Sequence, residues 1–308
     1  EKEAIEFVKK ASFPVIIKAS SGGGGKGMRI VHTEKDLIKS LQLASAEAQS
    51  AFGDSSIYLE KYIEEPRHIE VQILGDRHGN VISLGERDCS IQRRHQKLIE
   101  ESPGPSLTEE NRKEICELAI KVAKTVNYQG AGTVEFLIDS SGRSYFMEMN
   151  TRLQVEHPVT EEVTGIDIVK EQIRIATGEE LNHKQNEISP KGHAIEFRIN
   201  AENPEEDFLP SSGKVNLYVP SGGLGVRVDS HLYTGYQIPP FYDSLLAKLI
   251  VWGESREEAI SRAKRALDEF IVVGVPTTIG FHKKVVNNAF FHRAEFYTNF
   301  IQKRILNE

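Results

Sequence analysis

Residues Thr133–Pro158, TVEFLIDSSGRSYFMEMNTRLQVEHP, decide how this chain is read. They crowd carboxylates, amides and arginines into sequence that otherwise alternates like sheet. Thr133–Asp139 and Ser144–Asn150 are β-rich runs, and Ser140, Ser141, Gly142 and Arg143 between them make a turn, so the stretch is a hairpin. Pairing Asp139 with Ser144 sets Glu135 directly opposite Glu148. Side chains two apart share a face. Glu135, Glu148 and Asn150 therefore gather on one side, with Val134, Phe136, Ile138, Tyr145, Met147 and Met149 on an apolar other side.

Two facing carboxylates repel by about 4 kcal/mol at about 4 Å and an effective dielectric of about 20. A hard divalent cation would offset this, because Mg²⁺ takes a few carboxylate oxygens together with substrate phosphates and keeps some water. The alternative is that both acids point into solvent beside a Lys or Arg. Arg152, Gln154 and Glu156 follow at a spacing of two and stop at Pro158. An extended run would aim all three the same way, next to the acidic pair.

A chain of 308 residues with ordinary apolar content can bury a sizeable core and suggests two domains. Its net charge of −7 argues against nucleic acid as the main partner. Cys89 and Cys116 have neither disulfide-framework density nor metal-site spacing, which points to a reducing, cytoplasm-like compartment. No apolar run reaches membrane-spanning length and no signal peptide is visible. The first residues, EKEAIEFVKKASF, look like a helix cut into, so an N-terminal part is expected to be missing.

In chain order, Pro14–Lys18 and Gly27–Val31 read as strands around Ser20-Ser21-Gly22-Gly23-Gly24-Gly25-Lys26. The glycines match the dinucleotide fingerprint formally, but that motif must open a helix and here β-branched residues follow. A phosphate-binding helix loop fails too, since Gly27 follows Lys26 where Ser or Thr is needed. What remains is a glycine hairpin, either closing its N–H groups over phosphates beside Lys18 and Lys26 or lying on the surface. Thr33 and Asp36 form a capping box for a helix to about Phe52. Ile57–Ile63 is a strand, and Arg67–Leu74 pairs with Val81–Glu86. Glu86–Lys97 is dense in cations. It is either a solvated face or, in a central strand, an anion site with Ser90, Gln92 and Arg94 on one side and Arg93, His95 and Lys97 on the other. Thr108 caps a helix from about Glu109 to Val126.

Lys18 with SSGGGGKGMRIV, LEKYIEEPRHIEVQIL, GERDCSIQRRHQKLIEESP, GAGTVEFL, FMEMNTRLQVEHPVTEEVTGIDIVKEQ, HAIEFRINAE and PPFYDSLLAKLIVWG together resemble the biotin carboxylase component of biotin-dependent carboxylases. The resemblance covers essentially the whole chain. It implies an α+β fold: an ATP-grasp domain at 1–185, incomplete at its start, then the family's C-terminal domain at 186–308. Lys18, Gly24 and Gly25 would hold ATP phosphates. Glu60, Lys61, Tyr62 and Ile63 would surround adenine and ribose, with His68, Gln92 and His95 nearby. Glu135, Glu148 and Asn150 would hold two Mg²⁺ or Mn²⁺ ions. Bicarbonate would be gripped by Lys97, Arg152, Gln154 and the backbone at Val155, and Glu156 would be the general base. Arg198 would stabilise the biotin enolate.

The resemblance further implies a biotin carboxyl carrier protein, carboxyltransferase subunits and a homodimer formed through Pro220–Arg227. It places the activity in acetyl-CoA carboxylase and fatty acid synthesis. A pyruvate, propionyl-CoA or methylcrotonyl-CoA carboxylase, or a carbamoyl-phosphate-forming ligase, is the alternative. The compartment would be the cytoplasm, or a plastid or mitochondrial matrix. A nucleotide-contacting lysine and a whole domain would lie upstream of Glu1, so this piece is expected to be poorly active alone. Gly165–Thr177 reads as a helix ahead of the boundary, and in the second domain Ser255 with Glu258 caps another that buries Ala259, Ile260, Ala263, Ala266, Leu267 and Phe270. Tyr242-Asp243-Ser244 and Lys248 read as a structural link to the Arg198 strand.

Overall fold

A computed structural model describes residues 2–21 and 28–306. The glycines of the predicted hairpin, Gly24 and Gly25 among them, and Lys26 lie outside the described residues. The chain divides into two compact units, one of Glu1–Glu65 with Arg94–Gln96 and one of Pro66–Arg93 with Lys97–Glu308.

The smaller unit is a three-stranded antiparallel sheet backed by two helices. Helix α1 (Lys2–Ala11) precedes β1 (Val15–Ala19), which pairs on one side with β2 (Met28–Val31). Helix α2 (Glu34–Phe52) leads to β3 (Ile57–Lys61), which pairs with the other side of β1. The helices turn Ala4, Val8, Leu37, Leu41 and Ala44 onto Val15, Ile17 and Val31. Thr33 at the start of α2 donates from its hydroxyl to Asp36 Oδ2 at 2.6 Å. The expected box is thus a side-chain pair, and Thr33 makes no side-chain cap to the backbone. Gly53 ends α2 in the left-handed region at φ 73°, where a residue without Cβ is unstrained.

The larger unit is organised by an eight-stranded sheet. Its strands are β4 (Arg67–Gly75), β5 (Val81–Arg93), β6 (Gln96–Ser102), β7 (Gly130–Ile138), β8 (Ser144–Asn150), β9 (His193–Asn200), β14 (Val226–Ser230) and β16 (Leu245–Gly253), in the order β14-β16-β9-β6-β5-β4-β7-β8. Short strands β10 (Glu202–Asn203), β11 (Leu209–Pro210), β12 (Gly213–Lys214), β13 (Leu217–Val219), β15 (Gln237–Ile238) and β17 (Ile271–Val273) pair among themselves beside it. The sheet runs continuously from residues before 185 to residues after it, through the pairing of β6 with β9.

Both faces of this sheet are covered. Helix α3 (Glu109–Thr125), capped by Thr108 Oγ1 accepting from Asn111 N–H, packs Ile115, Ala119 and Ala123 on Ile69, Val71, Val134 and Phe136. Helix α6 (Arg256–Glu269), capped by Ser255, buries the predicted Ala259, Ile260, Ala263, Ala266 and Leu267 against β9 and β16. Helices α4 (His157–Thr164) and α5 (Ile168–Thr177) contact the sheet from the other side, with Val159 and Val163 against Ala194 and Ile250.

Three expectations need correction. Pro158 does not stop an extended run: it sits in the first turn of α4, where its missing N–H is no loss, with Glu156 at the N-cap position. The stretch expected as one helix from Gly165 begins only at Ile168, because Gly165 at φ 70° closes α4 and Asp167 caps α5. Glu86–Lys97 is neither a solvated face nor one alternating strand. Arg94 and His95, at φ 48° and 65°, turn the chain between β5 and β6, and Arg87, Asp88, Cys89 and Ser90 are buried.

The Thr133–Asn150 hairpin forms with a shifted tip. Ile138, not Asp139, lies opposite Ser144, and Phe136 faces Phe146. An irregularity between Glu135 and Phe136 absorbs the extra residue, so that Glu135 still lies opposite Glu148. Phe146 thereby replaces Met147 against Phe136, edge to face at 6.3 Å, and Met147 is exposed.

Candidate active site

One row of side chains crosses four neighbouring strands of the large sheet, from β5 through β4 and β7 to the edge strand β8. Glu70 on β4 stands opposite Arg87 on β5 and Glu135 on β7, and Glu135 stands opposite Glu148 on β8. Arg87 has no exposed surface, so all its donors must find partners inside. Nε reaches Glu70 at 2.6 Å, Nη1 reaches Gln72 at 2.7 Å and Thr160 of α4 at 3.0 Å, and Nη2 reaches Thr133 at 3.2 Å. Burial disfavours the charge on Glu70, but Arg87 and Lys97 outweigh it and hold this carboxyl down at about 2.

Lys97, at the start of β6, caps the row. Its ammonium donates to Glu70, to Glu135 at 3.0 Å and to Glu156 at 2.7 Å, a three-carboxylate grip that keeps its pKa well above the ordinary lysine value despite burial. The other oxygen of Glu156 accepts from Arg198 Nη2 at 2.9 Å, and Arg198 Nε donates to Glu100 at 2.7 Å. Charge therefore alternates along a connected line: Glu135, Lys97, Glu156, Arg198, Glu100. Glu135 also accepts from Asn150 Nδ2 at 3.1 Å and Gln154 Nε2 at 3.2 Å, with His68 Nε2 lying 3.1 Å away; burial notwithstanding, His68 and Lys97 keep its carboxyl at about 2.

The predicted residues of the large unit converge here: His68, Gln92, Lys97, Glu135, Glu148, Asn150, Gln154, Glu156 and Arg198. Gln92 Nε2 lies 3.5 Å from His68 Nδ1. Arg152 is exposed and donates to Gln154 Oε1 at 2.8 Å, and among the described residues it reaches the cluster through that amide. Because residues after Asn150 form a bend before α4, Arg152, Gln154 and Glu156 do not point one way as an extended run would. Lys248, opposite Arg198 on β16, donates to Val155 O at 3.0 Å, and Ser244 O accepts from Ala201 N–H just after β9. The Tyr242–Lys248 segment is thus tied to the Arg198 strand as expected.

In the small unit, Lys18 pairs with Glu60, and Lys61 Nζ donates to Ser12 O at 3.1 Å and Phe13 O at 3.2 Å. Tyr62 N–H donates to Pro14 O at 3.1 Å, extending the β1–β3 edge, and Ile63 follows it, half-buried. His95 is exposed in the turn between β5 and β6.

Two family models match the chain: carbamoyl-phosphate synthase L chain, ATP binding domain, over residues 1–184, and biotin carboxylase C-terminal domain, over 196–303. A biotin carboxylase of Nostoc sp. is 56% identical over 98% of this chain and 68% of its own length. The chain belongs to the biotin carboxylase family.

This is a family of ATP-dependent ligases built on the ATP-grasp fold. A pyruvate carboxylase subunit of Methanothermobacter thermautotrophicus is 57% identical over 98% of this chain and 61% of its own length. Among solved structures, a biotin carboxylase–β,γ-ATP complex from Campylobacter jejuni superposes with a TM-score of 0.91 at 52% identity, covering 96% of this chain and 66% of that one. The biotin carboxylase domain dimer of Hydrogenobacter thermophilus 2-oxoglutarate carboxylase, with MgADP, ADP and bicarbonate, gives 0.92 at 50% identity, covering 98% and 67%. The chain spans about two thirds of the length of these relatives.

Glu135, Glu148 and Asn150 suit a hard divalent ion in this biotin carboxylase relative: two carboxylates and an amide oxygen on neighbouring strands, with Glu148 exposed. The Asn150 amide is directed at both acids, at 3.1 Å to Glu135 and 3.4 Å to Glu148, so reversing it presents oxygen to the same point. Glu70, Arg87 and Glu100 join the site although the sequence reading does not name them as members of it. In β4 a signal is present, since His68, Glu70 and Gln72 alternate with Ile69, Val71 and Ile73. For Glu100, only the long-range pairing of β6 with β9 reveals its place.

Proposed function

We propose that this chain is the ATP-grasp and C-terminal part, 1–185 and 186–308, of a biotin carboxylase that carboxylates carrier-borne biotin with bicarbonate and ATP. The observation that carries this reading is Glu156, a buried carboxylate whose two oxygens are held separately by Lys97 and Arg198 next to the Glu135 and Glu148 pair.

Lys97, Arg152, Gln154 and the backbone N–H at Val155 would bind bicarbonate, and Glu156 would take its proton. The bicarbonate oxygen then attacks the γ-phosphorus, ADP leaves and carboxyphosphate forms. Carboxyphosphate divides into CO₂ and phosphate, phosphate removes the biotin N1′ proton, and the enolate adds to CO₂. Arg198 faces the negative charge that develops on the biotin oxygen, exchanging Glu156 for it. Magnesium on Glu135, Glu148 and Asn150 would neutralise phosphate charge; manganese suits the same donors. Lys18, Gly24 and Gly25 would serve the phosphates, and Glu60–Ile63 the adenosine, with His68, Gln92 and His95.

The carrier, carboxyltransferase subunits and a homodimer through Pro220–Arg227 belong to this proposal; Leu224 in that segment is 84% exposed. So does the acetyl-CoA carboxylase role, with its fatty acid synthesis, in the cytoplasm or an organelle. Reconstitution with carboxyltransferase subunits specific for acetyl-CoA or for pyruvate tests the acceptor. The reading itself is tested by biotin-stimulated, bicarbonate-dependent ADP release from a chain completed to its relatives' length. Turnover that ignores biotin would overturn it.

A further inference from the structure

Behind Arg198 lies a second pair of facing acids. Glu100 on β6 and Glu196 on β9 are register partners, and neither has exposed surface. Glu100 Oε1 accepts from Arg198, but its Oε2 and both oxygens of Glu196 meet no donor among the described residues. The groups facing Glu196 are few. They are Glu100 from β6, Arg198 two residues along β9, Lys248 from β16 with its ion-pair partner Asp229 on β14, and Glu156 at the head of α4. Arg198 is committed to Glu100 and Glu156, and Lys248 to Val155 and Asp229.

Three carboxylates thus share one arginine, and a fully buried ionised carboxylate without a donor is strongly disfavoured. Protonated, Glu196 has an O–H to give, and the orphaned Glu100 Oε2 is an acceptor on the opposing strand. Resting on the biotin carboxylase reading for its consequence, we propose that Glu196 is a neutral acid that donates to Glu100 and so acts as a positioning residue for Arg198. Burial, with Glu100 next to it, pushes the Glu196 carboxyl well above its ordinary value, and burial brings Glu100 to about 7 against the pull of Arg198. The two acids hold one proton between them at neutral pH. Its loss at alkaline pH would add a second anion beside Arg198 and draw the guanidinium away from biotin.

Infrared difference spectra of this chain against Glu196→Gln test the protonation whatever the reaction is. The expected result is a carboxylic-acid C=O band at neutral pH that is missing in the variant and fades in alkali. Its absence from the unsubstituted chain overturns the proposal. In the chain completed to its relatives' length, Glu196→Leu should lower biotin-dependent kcat by about tenfold or more and leave the KM for ATP unchanged. Glu196→Gln, which keeps a donor, should recover most of that loss and move the alkaline limb of the pH profile. Equal loss in both variants, or an unmoved limb, would leave Glu196 a packing residue. If biotin stimulates no turnover at all, the proposed function falls and the infrared band alone decides the acid pair.

Discussion

Arg198 Nη2 donates to Glu156 Oε2 at 2.9 Å, tying the central strand β9 to the residue at the head of α4. The contact joins the two chemical halves of the proposed reaction, bicarbonate deprotonation and biotin carboxylation. In the proposed reaction, a proton taken up by Glu156 would weaken its hold on Arg198 Nη2 and let that nitrogen turn to an anion, while Nε stays on Glu100. The Lys97 contact at 2.7 Å keeps the other oxygen in place throughout.

Glu156→Gln should therefore lower bicarbonate-dependent ADP release by about 10²-fold or more, the usual share of a general base. The amide keeps the side-chain volume, so the thermal midpoint of the variant serves as the control for folding.

Glu148→Gln should weaken magnesium-dependent nucleotide binding, read by calorimetry with Mg-ATP on this chain. Glu148 is exposed, so stability should change by no more than about 0.5 kcal/mol. An equal effect in the presence of chelator would break the link to the metal.

Arg87→Met should destabilise the large unit far more than any change at Glu148. It strips the donors from Glu70, Gln72, Thr160 and Thr133 at once and leaves Glu70 with Lys97 as its remaining counter-charge, a loss of about 3–5 kcal/mol. Urea denaturation gives the value directly. Glu70→Gln combined with Arg87→Met should recover part of the loss, because the buried charge that lost one of its two cationic partners is then gone.

Glu101 predicts an acid limb in stability. Burial opposes its charge, but Arg256 at 2.7 Å and His193 at 2.6 Å hold its carboxyl at about 2. A carboxyl with a folded pKa below its unfolded value stabilises the fold above about pH 4.5 and loses that contribution as pH falls towards 2. The contribution is about 3 kcal/mol. Denaturation midpoints measured from pH 6 down should fall less steeply in Glu101→Gln.

The acidic pair was legible because alternation alone puts Glu135 and Glu148 on one face, and the irregularity beside Phe136 restored a register that the tip had shifted. Gln154 and Glu156 were legible as types but not as a geometry. Pro158 looked like a stop and is instead the first turn of α4, which swings Glu156 towards Lys97 and Arg198. The cations of Glu86–Lys97 looked like a solvated face because nothing local shows that β5 is flanked on both sides, by β4 and β6. Arg87 is the extreme case: a charge with no exposed surface becomes intelligible only when Glu70, Gln72, Thr133 and Thr160 arrive from three other elements.

The central claim is that bicarbonate, deprotonated at Glu156, attacks the terminal phosphorus of ATP. It is tested most directly by supplying bicarbonate with isotopically labelled oxygen to the completed chain and analysing the phosphate released. The account predicts one labelled oxygen transferred to each phosphate, at a rate that collapses in Glu156→Gln. Unlabelled phosphate from a turning-over enzyme would contradict it.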